Sequence, residues 1–150
     1  MGDYTRLTVG VNLKPDLPVG VVEVLKYLTT VDGDICLDGL GVKDDPFFSS
    51  SNWATIFYEG CTYLPATVKP WFDQQPVCCR LVASGSFKNY DAEAEKFLNW
   101  LRPYMLGSMG DEVAYTEFDL DKSPKVTYRL KEGGFDKKIE ILDNGWPYKI

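Results

Sequence analysis

Histidine is absent from the 150 residues. Its absence removes the usual general base near neutral pH and the commonest metal ligand. Ser-His-Asp and Cys-His nucleophile systems and every histidine-containing zinc site are therefore excluded within the chain. Also missing is any apolar run near the roughly 20 residues of a membrane span. Residues 1–20 carry Asp3, Arg6, Lys14 and Asp16 and lack a run of signal-peptide length, so the expected location is the cytoplasm. Four cysteines, Cys36, Cys61, Cys78 and Cys79, form no CxxC pair and are too few for a disulfide scaffold. Free core thiols are expected. None of GxxxxGK[ST], GxGxxG and GxSxG occurs, so Gly39, Gly41, Gly133 and Gly134 read as turn glycines.

What is present describes one ordinary domain over residues 1–150. Hydrophobic residues at 45% and charged residues at 25% lie in the globular range, and the length suffices to bury a core without staples. The net charge of -6 repels phosphate backbones and anionic membranes, which argues against nucleic-acid and membrane partners. Lys122, Lys125, Arg129, Lys131, Lys137 and Lys138 do gather near the C-terminus, where solvated strand faces and turns account for them.

Leu7, Val9, Val11 and Leu13 alternate with Arg6, Thr8, Gly10 and Asn12, the period of a half-buried strand. Asp16 then stands as a cap for a helix carrying Val21, Val24, Leu25 and Leu28 at i, i+3, i+4 and i+7. Residues 31–52 read as loop. Residues 53–58 have strand composition, and residues 62–71 continue the sheet after a turn at Gly60, restricted to an edge or a loop by Pro65 and Pro70. Residues 77–83 form a further strand, with Val77, Cys79, Leu81 and Ala83 on one face and Gly85 closing it.

A second helix follows, with Asp91 as N-cap and Ala94, Phe97, Leu98 and Leu101 as its apolar stripe. Glu93 and Glu95 read as first-turn anions, and Glu93 as an exposed one worth no more than about 1 kcal/mol. Pro103 ends regular helix. Strands over 113–120, 125–130 and 137–142 complete the chain. The order predicts an α+β fold, a ferredoxin-like or split βαβ sandwich: two helices on one face of a mainly antiparallel sheet, with extra C-terminal hairpin strands.

No catalytic residue and no cofactor follow from this inventory. Asp32, Asp34 and Asp38 alternate like a calcium loop, but position six from Asp32 is Leu37 instead of glycine and position twelve is Lys43 instead of glutamate. The unusual feature is a run of eight aromatics, Phe47, Phe48, Trp53, Phe57, Tyr58, Tyr63, Trp71 and Phe72. Aromatics enrich both cores and binding surfaces, so core packing beneath a long loop competes with a working surface. Phe47, Phe48, Tyr58, Tyr63, Trp71 and Phe72 are the candidate binding residues. Parity on a strand would bury one of Phe57 and Tyr58 and expose the other. Trp100, about 110° from the centre of its helix's stripe at 100° per residue, is a further candidate for exposure or for packing on Trp146-Pro147-Tyr148.

The segment Phe87-Lys88-Asn89-Tyr90-Asp91-Ala92-Glu93-Ala94-Glu95-Lys96-Phe97-Leu98-Asn99-Trp100-Leu101-Arg102-Pro103-Tyr104, with the strand-like sequence after it to residue 130, resembles small uncharacterised proteins of bacteriophages and prophages. The shared style is an acidic helix start, a Phe-Leu-x-Trp-Leu core and a Pro-Tyr end; residues 107–110 and the positively charged hairpin have no counterpart in it, so it gives the C-terminal third no support. The resemblance implies a setting inside an infected bacterium and assigns no activity or functional residue. Three readings follow. The first is a non-enzymatic binding protein, a phage accessory or anti-defence factor that occupies a host protein. The second is a protein that binds or sequesters a nucleotide-like small molecule by stacking and by Lys or Arg pairing with phosphate. The third is a metal-dependent hydrolase built on Asp32, Asp34 and Asp38.

Overall fold

The computed structural model describes residues 4–30, 34–61, 64–118 and 124–141. Its seven strands are β1 (Tyr4–Leu13), β2 (Trp71–Gln74), β3 (Cys79–Lys88), β4 (Met105–Leu106), β5 (Glu112–Phe118), β6 (Pro124–Lys131) and β7 (Gly134–Ile141). They form one sheet in the order β2-β3-β1-β5-β6-β7, with β4 paired to the end of β1. Every pairing is antiparallel. β1 and β2 thus run in the same direction with β3 between them, joined through α1 (Val19–Thr29). The path β2-β3-β1-β5 is the split βαβ, ferredoxin-like order, and β6 and β7 extend it as the expected C-terminal hairpin. No helix among the described residues is long and apolar enough to cross a membrane.

The alternation in β1 does what the sequence demands. Thr5, Leu7, Val9, Val11 and Leu13 are buried against α1 and α2 (Glu93–Leu101), while Arg6, Thr8, Gly10 and Asn12 face away from the helices. α1 buries Val21, Val24, Leu25 and Leu28 as its period requires. It starts at Pro18 with no side-chain cap, not at Asp16. The Pro18 carbonyl accepts the first helical bond, from the Val22 N–H at 3.1 Å, and the proline ring fixes φ (−56°) at the entry to the helix. Gly20 is fixed by space: a Cβ there would lie 2.1 Å from the carbonyl oxygen of Leu40, where the loop crosses the helix.

β3 differs from its expectation at both ends. Val77 precedes it and is exposed, and the strand runs through Gly85 to Lys88. Gly85 does not break it because glycine is what its environment needs. A Cβ at that position would sit 2.1 Å from the Cα of Phe57, whose chain lies directly on the strand.

Residues 53–58 are no strand. A 3₁₀ turn spans Trp53–Thr55, and Ile56 and Phe57 are both buried, which two successive residues of a half-exposed strand could not be. Of residues 62–71, positions 62 and 63 lie outside the described residues and 64–70 form no strand. That stretch instead wraps the far face of β3: the Ser86 hydroxyl donates to the Leu64 carbonyl, Ser84 Oγ accepts from the Thr67 N–H at 3.2 Å, and Arg6 Nη1 reaches the Pro65 carbonyl at 2.7 Å. Polar Ser84 and Ser86 are buried because this wrap satisfies them.

α2 buries Ala94, Phe97, Leu98 and Leu101 and stops before Pro103, which enters a 3₁₀ turn at Arg102–Tyr104. Its start is not capped by Asp91. Ala92 takes a left-handed conformation (φ 56°), Asn89 Oδ1 accepts the Ala94 N–H at 3.0 Å, and Asp91 turns to the loop to accept from both the N–H (2.8 Å) and the hydroxyl (2.7 Å) of Ser51. Those bonds hold the Asp91 carboxyl below its ordinary range. Glu93 is fully buried, against the expectation of an exposed first-turn anion. Trp100 is buried as well, because Phe47 and Phe48 cover the side of α2 that the stripe leaves open. The tail 142–150, including Trp146-Pro147-Tyr148, and the turn at 119–123 lie outside the described residues.

Candidate functional site

The aromatic run divides into core and surface. Phe47 is fully buried at the centre of a ring cluster, with centroids 4.9 Å from Phe48, 5.4 Å from Phe97, 5.8 Å from Trp100 and 5.9 Å from Trp53. Asp45 secures this segment by accepting the Phe47 N–H at 3.0 Å, which starts the 3₁₀ turn Pro46–Ser49. Phe47 and Phe48 are therefore core residues and not surface anchors. Phe72 is half-buried against the same core, and Tyr63 lies outside the described residues. Tyr58 and Trp71 remain, 55% and 46% exposed. Phe57, at 5%, is the buried neighbour.

The two exposed rings stand on different surfaces. Trp71 opens β2 opposite Val82, on the face of the sheet away from the helices. There Gly10, Val82, Val68 and Tyr115 line a shallow groove of about 280 Å³. Tyr58 lies at a deeper cleft of about 380 Å³ between the C-terminal end of α1 and residues 54–60. Its walls include Tyr27, Thr29, Thr30, Phe57, Glu59 and Pro70.

Hydrogen bonds and ring contacts hold both walls of the cleft. The Tyr58 N–H donates to Thr55 at 3.0 Å, and its carbonyl accepts from Ser86 N–H at 2.9 Å, tying the loop to the edge of β3 beyond the end of β2. Its ring lies over Gly60, where a Cβ would fall 2.2 Å from the phenol oxygen. On the other wall, Thr29 Oγ1 donates to Leu25 O (2.7 Å) and Thr30 Oγ1 to Lys26 O (2.8 Å), which folds both hydroxyls back onto the last turn of α1. Tyr27 leans on Trp53 at 5.8 Å.

Charge in the cleft is of one sign. Among the described residues Glu59 is the one carboxylate that lines it and no lysine or arginine does, and the C-terminal end of α1 adds partial negative charge. The walls suit an apolar, hydrogen-bond-donating or cationic group and repel phosphate.

The carboxylates singled out in the sequence do not converge. Asp32 lies outside the described residues, Asp34 is exposed, and Asp38 pairs with Lys43 at 2.9 Å in solvent, which lowers its carboxyl. Among the described residues no three Cys, Asp or Glu side chains are grouped to hold a metal ion. All four cysteines are free thiols, and burial pushes the Cys79 thiol up.

The sequence reading found Tyr58 but not Tyr27, Thr29, Thr30, Glu59 or Pro70. The Thr-Thr pair at the end of α1 was the available signal, since such hydroxyls favour helix termini. Nothing local links residues 27–30 to residues 54–60. No family model, curated protein or solved structure matches the chain.

Proposed function

We propose that this chain is a non-enzymatic binding protein that takes a side chain of a protein partner into the cleft between Tyr27 and Tyr58. The observation that carries this reading is Tyr58 itself: a large ring more than half exposed, yet held at a cleft by main-chain bonds on both sides. Tyrosine on a rigid scaffold supplies contact area at low entropic cost and is enriched among residues that dominate binding energy. With Glu59 and the α1 terminus beside it, the favoured anchor is a basic or neutral side chain of the partner. In the setting that the resemblance to phage proteins implies, an infected bacterium, such a binder would act as an accessory or anti-defence factor on a host protein. Among the described residues of this cleft the nucleotide-like reading finds no cation for a phosphate.

A photo-reactive amino acid at position 58, irradiated in infected and uninfected bacterial cells, tests the proposal. One partner should be captured, and Tyr27→Ala should abolish its capture while leaving the melting temperature within a few degrees. A set of unrelated proteins captured equally by both forms would sink it. Stabilisation by nucleotides or by Mg²⁺ or Mn²⁺ instead would favour the other two readings, since a ligand at 100 times its Kd adds about 2.7 kcal/mol.

A further inference from the structure

The two outer edges of the sheet are finished differently. β2 offers only Trp71–Gln74, between Pro70 and Pro76, the short proline-flanked form that discourages pairing. β7 keeps an uninterrupted register with β6 from Lys131↔Gly134 to Pro124↔Ile141, without proline or bulge. Among the described residues nothing pairs with its outer side. Ile139 is 64% exposed there.

Geometry fixes which groups that edge presents. Lys131 and Gly134 close a two-residue turn at Glu132-Gly133, with Gly133 at φ 72°, so this pair exchanges main-chain hydrogen bonds. Alternation then turns the N–H and C=O of Phe135, Lys137 and Ile139 away from β6. Side chains of the same three residues lie on the helix-bearing face, opposite Leu130, Tyr128 and Val126, while Asp136, Lys138 and Glu140 lie on the other.

We infer that β7 is a self-association edge, on which a second copy of this chain pairs antiparallel about a two-fold axis through Lys137. An axis there sets Asp136 opposite the partner's Lys138 and Phe135 opposite the partner's Ile139, each twice by symmetry, and brings the two copies of Lys137 together at the axis, each paired with Glu95 of its own chain. Shifted to Asp136 the axis would oppose two aspartates; shifted to Lys138 it would oppose Asp136 and the partner's Glu140. An axis at Ile139 would pair Lys138 with the partner's Glu140, and within the described residues it spans 137–141, against 134–140 for the axis at Lys137. Of the two lysines on the edge, Lys137 is held by Glu95, and Lys138, 3.4 Å from Glu140 and half exposed, lies on the face where the partner's Asp136 meets it. The axis stands perpendicular to the sheet, so both copies keep their helices on one side and the two sheets join into one.

Sedimentation velocity over roughly a hundredfold range of loading concentration tests this. Wild type should show a monomer–dimer equilibrium. Asp136→Lys and Lys138→Asp should each weaken the dimer at least about tenfold by opposing like charges, and the double variant should restore it. Lys137→Pro removes an N–H that points away from β6, and should leave the melting temperature near wild type while abolishing the dimer. A monomer throughout overturns the inference, as does a dimer indifferent to Asp136→Lys and Lys137→Pro. Dissociation by Glu140→Lys with Asp136→Lys silent would place the axis at Ile139 and overturn this register.

Discussion

The Glu93 carboxylate accepts the N–H of Asn52 at 2.8 Å from within the core, and its second oxygen accepts the N–H of Asp91 at 3.0 Å. One buried side chain thus ties the start of α2 to the loop that carries the aromatic cluster. Glu93→Ala would leave two donors without an acceptor, at about 1 to 3 kcal/mol for each buried group. We expect a loss of about 2 to 4 kcal/mol in chemical denaturation, with Glu93→Gln losing less. A change below about 1 kcal/mol would mean that water replaces the carboxylate.

Leu98→Ala and Leu101→Ala should each cost about 2 to 5 kcal/mol, because both side chains are fully enclosed and leave cavities that the packed rings around Phe97 cannot fill. Urea midpoints of the two variants decide the matter; near-wild-type values would mean that the core relaxes around the loss.

Gly85→Ala should be at least as damaging as a core truncation, about 3 kcal/mol or more, because the new methyl meets main chain, which yields less than a side chain. If the chain at Phe57 gives way instead, Tyr58 moves with it. Partner capture through position 58 should then fall even in protein that remains folded, and a folded Gly85→Ala variant with full capture would contradict this.

Tyr128 provides a pH test. It is 5% exposed, and burial, aided by the charge of Glu95, pushes its phenol up to about 12. A folded value above the unfolded value of about 10 means that the phenol favours folding in its neutral form. That contribution is intact below about pH 10 and is lost as the pH rises towards 12, on the order of 2 kcal/mol. Tyr128→Phe should flatten the alkaline arm of the stability profile relative to wild type, and parallel profiles would show that the phenol ionises without penalty.

Elements with a strong period were legible in the sequence, and those shaped by distant contacts were not. β1 and the stripes of α1 and α2 follow from spacing alone, since each buries one face against one neighbour. Residues 53–58 misled because β-branched and aromatic composition reports packing on a half-buried surface and not the backbone state. The adjacent burial of Ile56 and Phe57 comes from β3, far along the chain. Trp100 was misplaced for a related reason: α2 is covered on two sides, and the second cover, Phe47 with Phe48, lies about fifty residues away. At the cleft only Tyr58 could be picked out, because its walls meet only through the fold.

β1 sits at the middle of the sheet, with Leu7 opposite Gly85 on one side and Thr116 on the other. During synthesis its first neighbour is complete only after residue 88 and its second after residue 118. At roughly 5 to 20 residues per second, the strand Leu7-Val9-Val11-Leu13 waits on the order of 5 to 20 s for β5 to leave the ribosome. Through that interval a strand with Leu7, Val9, Val11 and Leu13 on one face has an open side, and Arg6 has no Glu117 to meet at 2.8 Å. Folding dominated by such distant pairings is slow. Chains interrupted before residue 112 would carry β1 half-paired and be prone to aggregate, although nearly all of the hydrophobic core is already present in them.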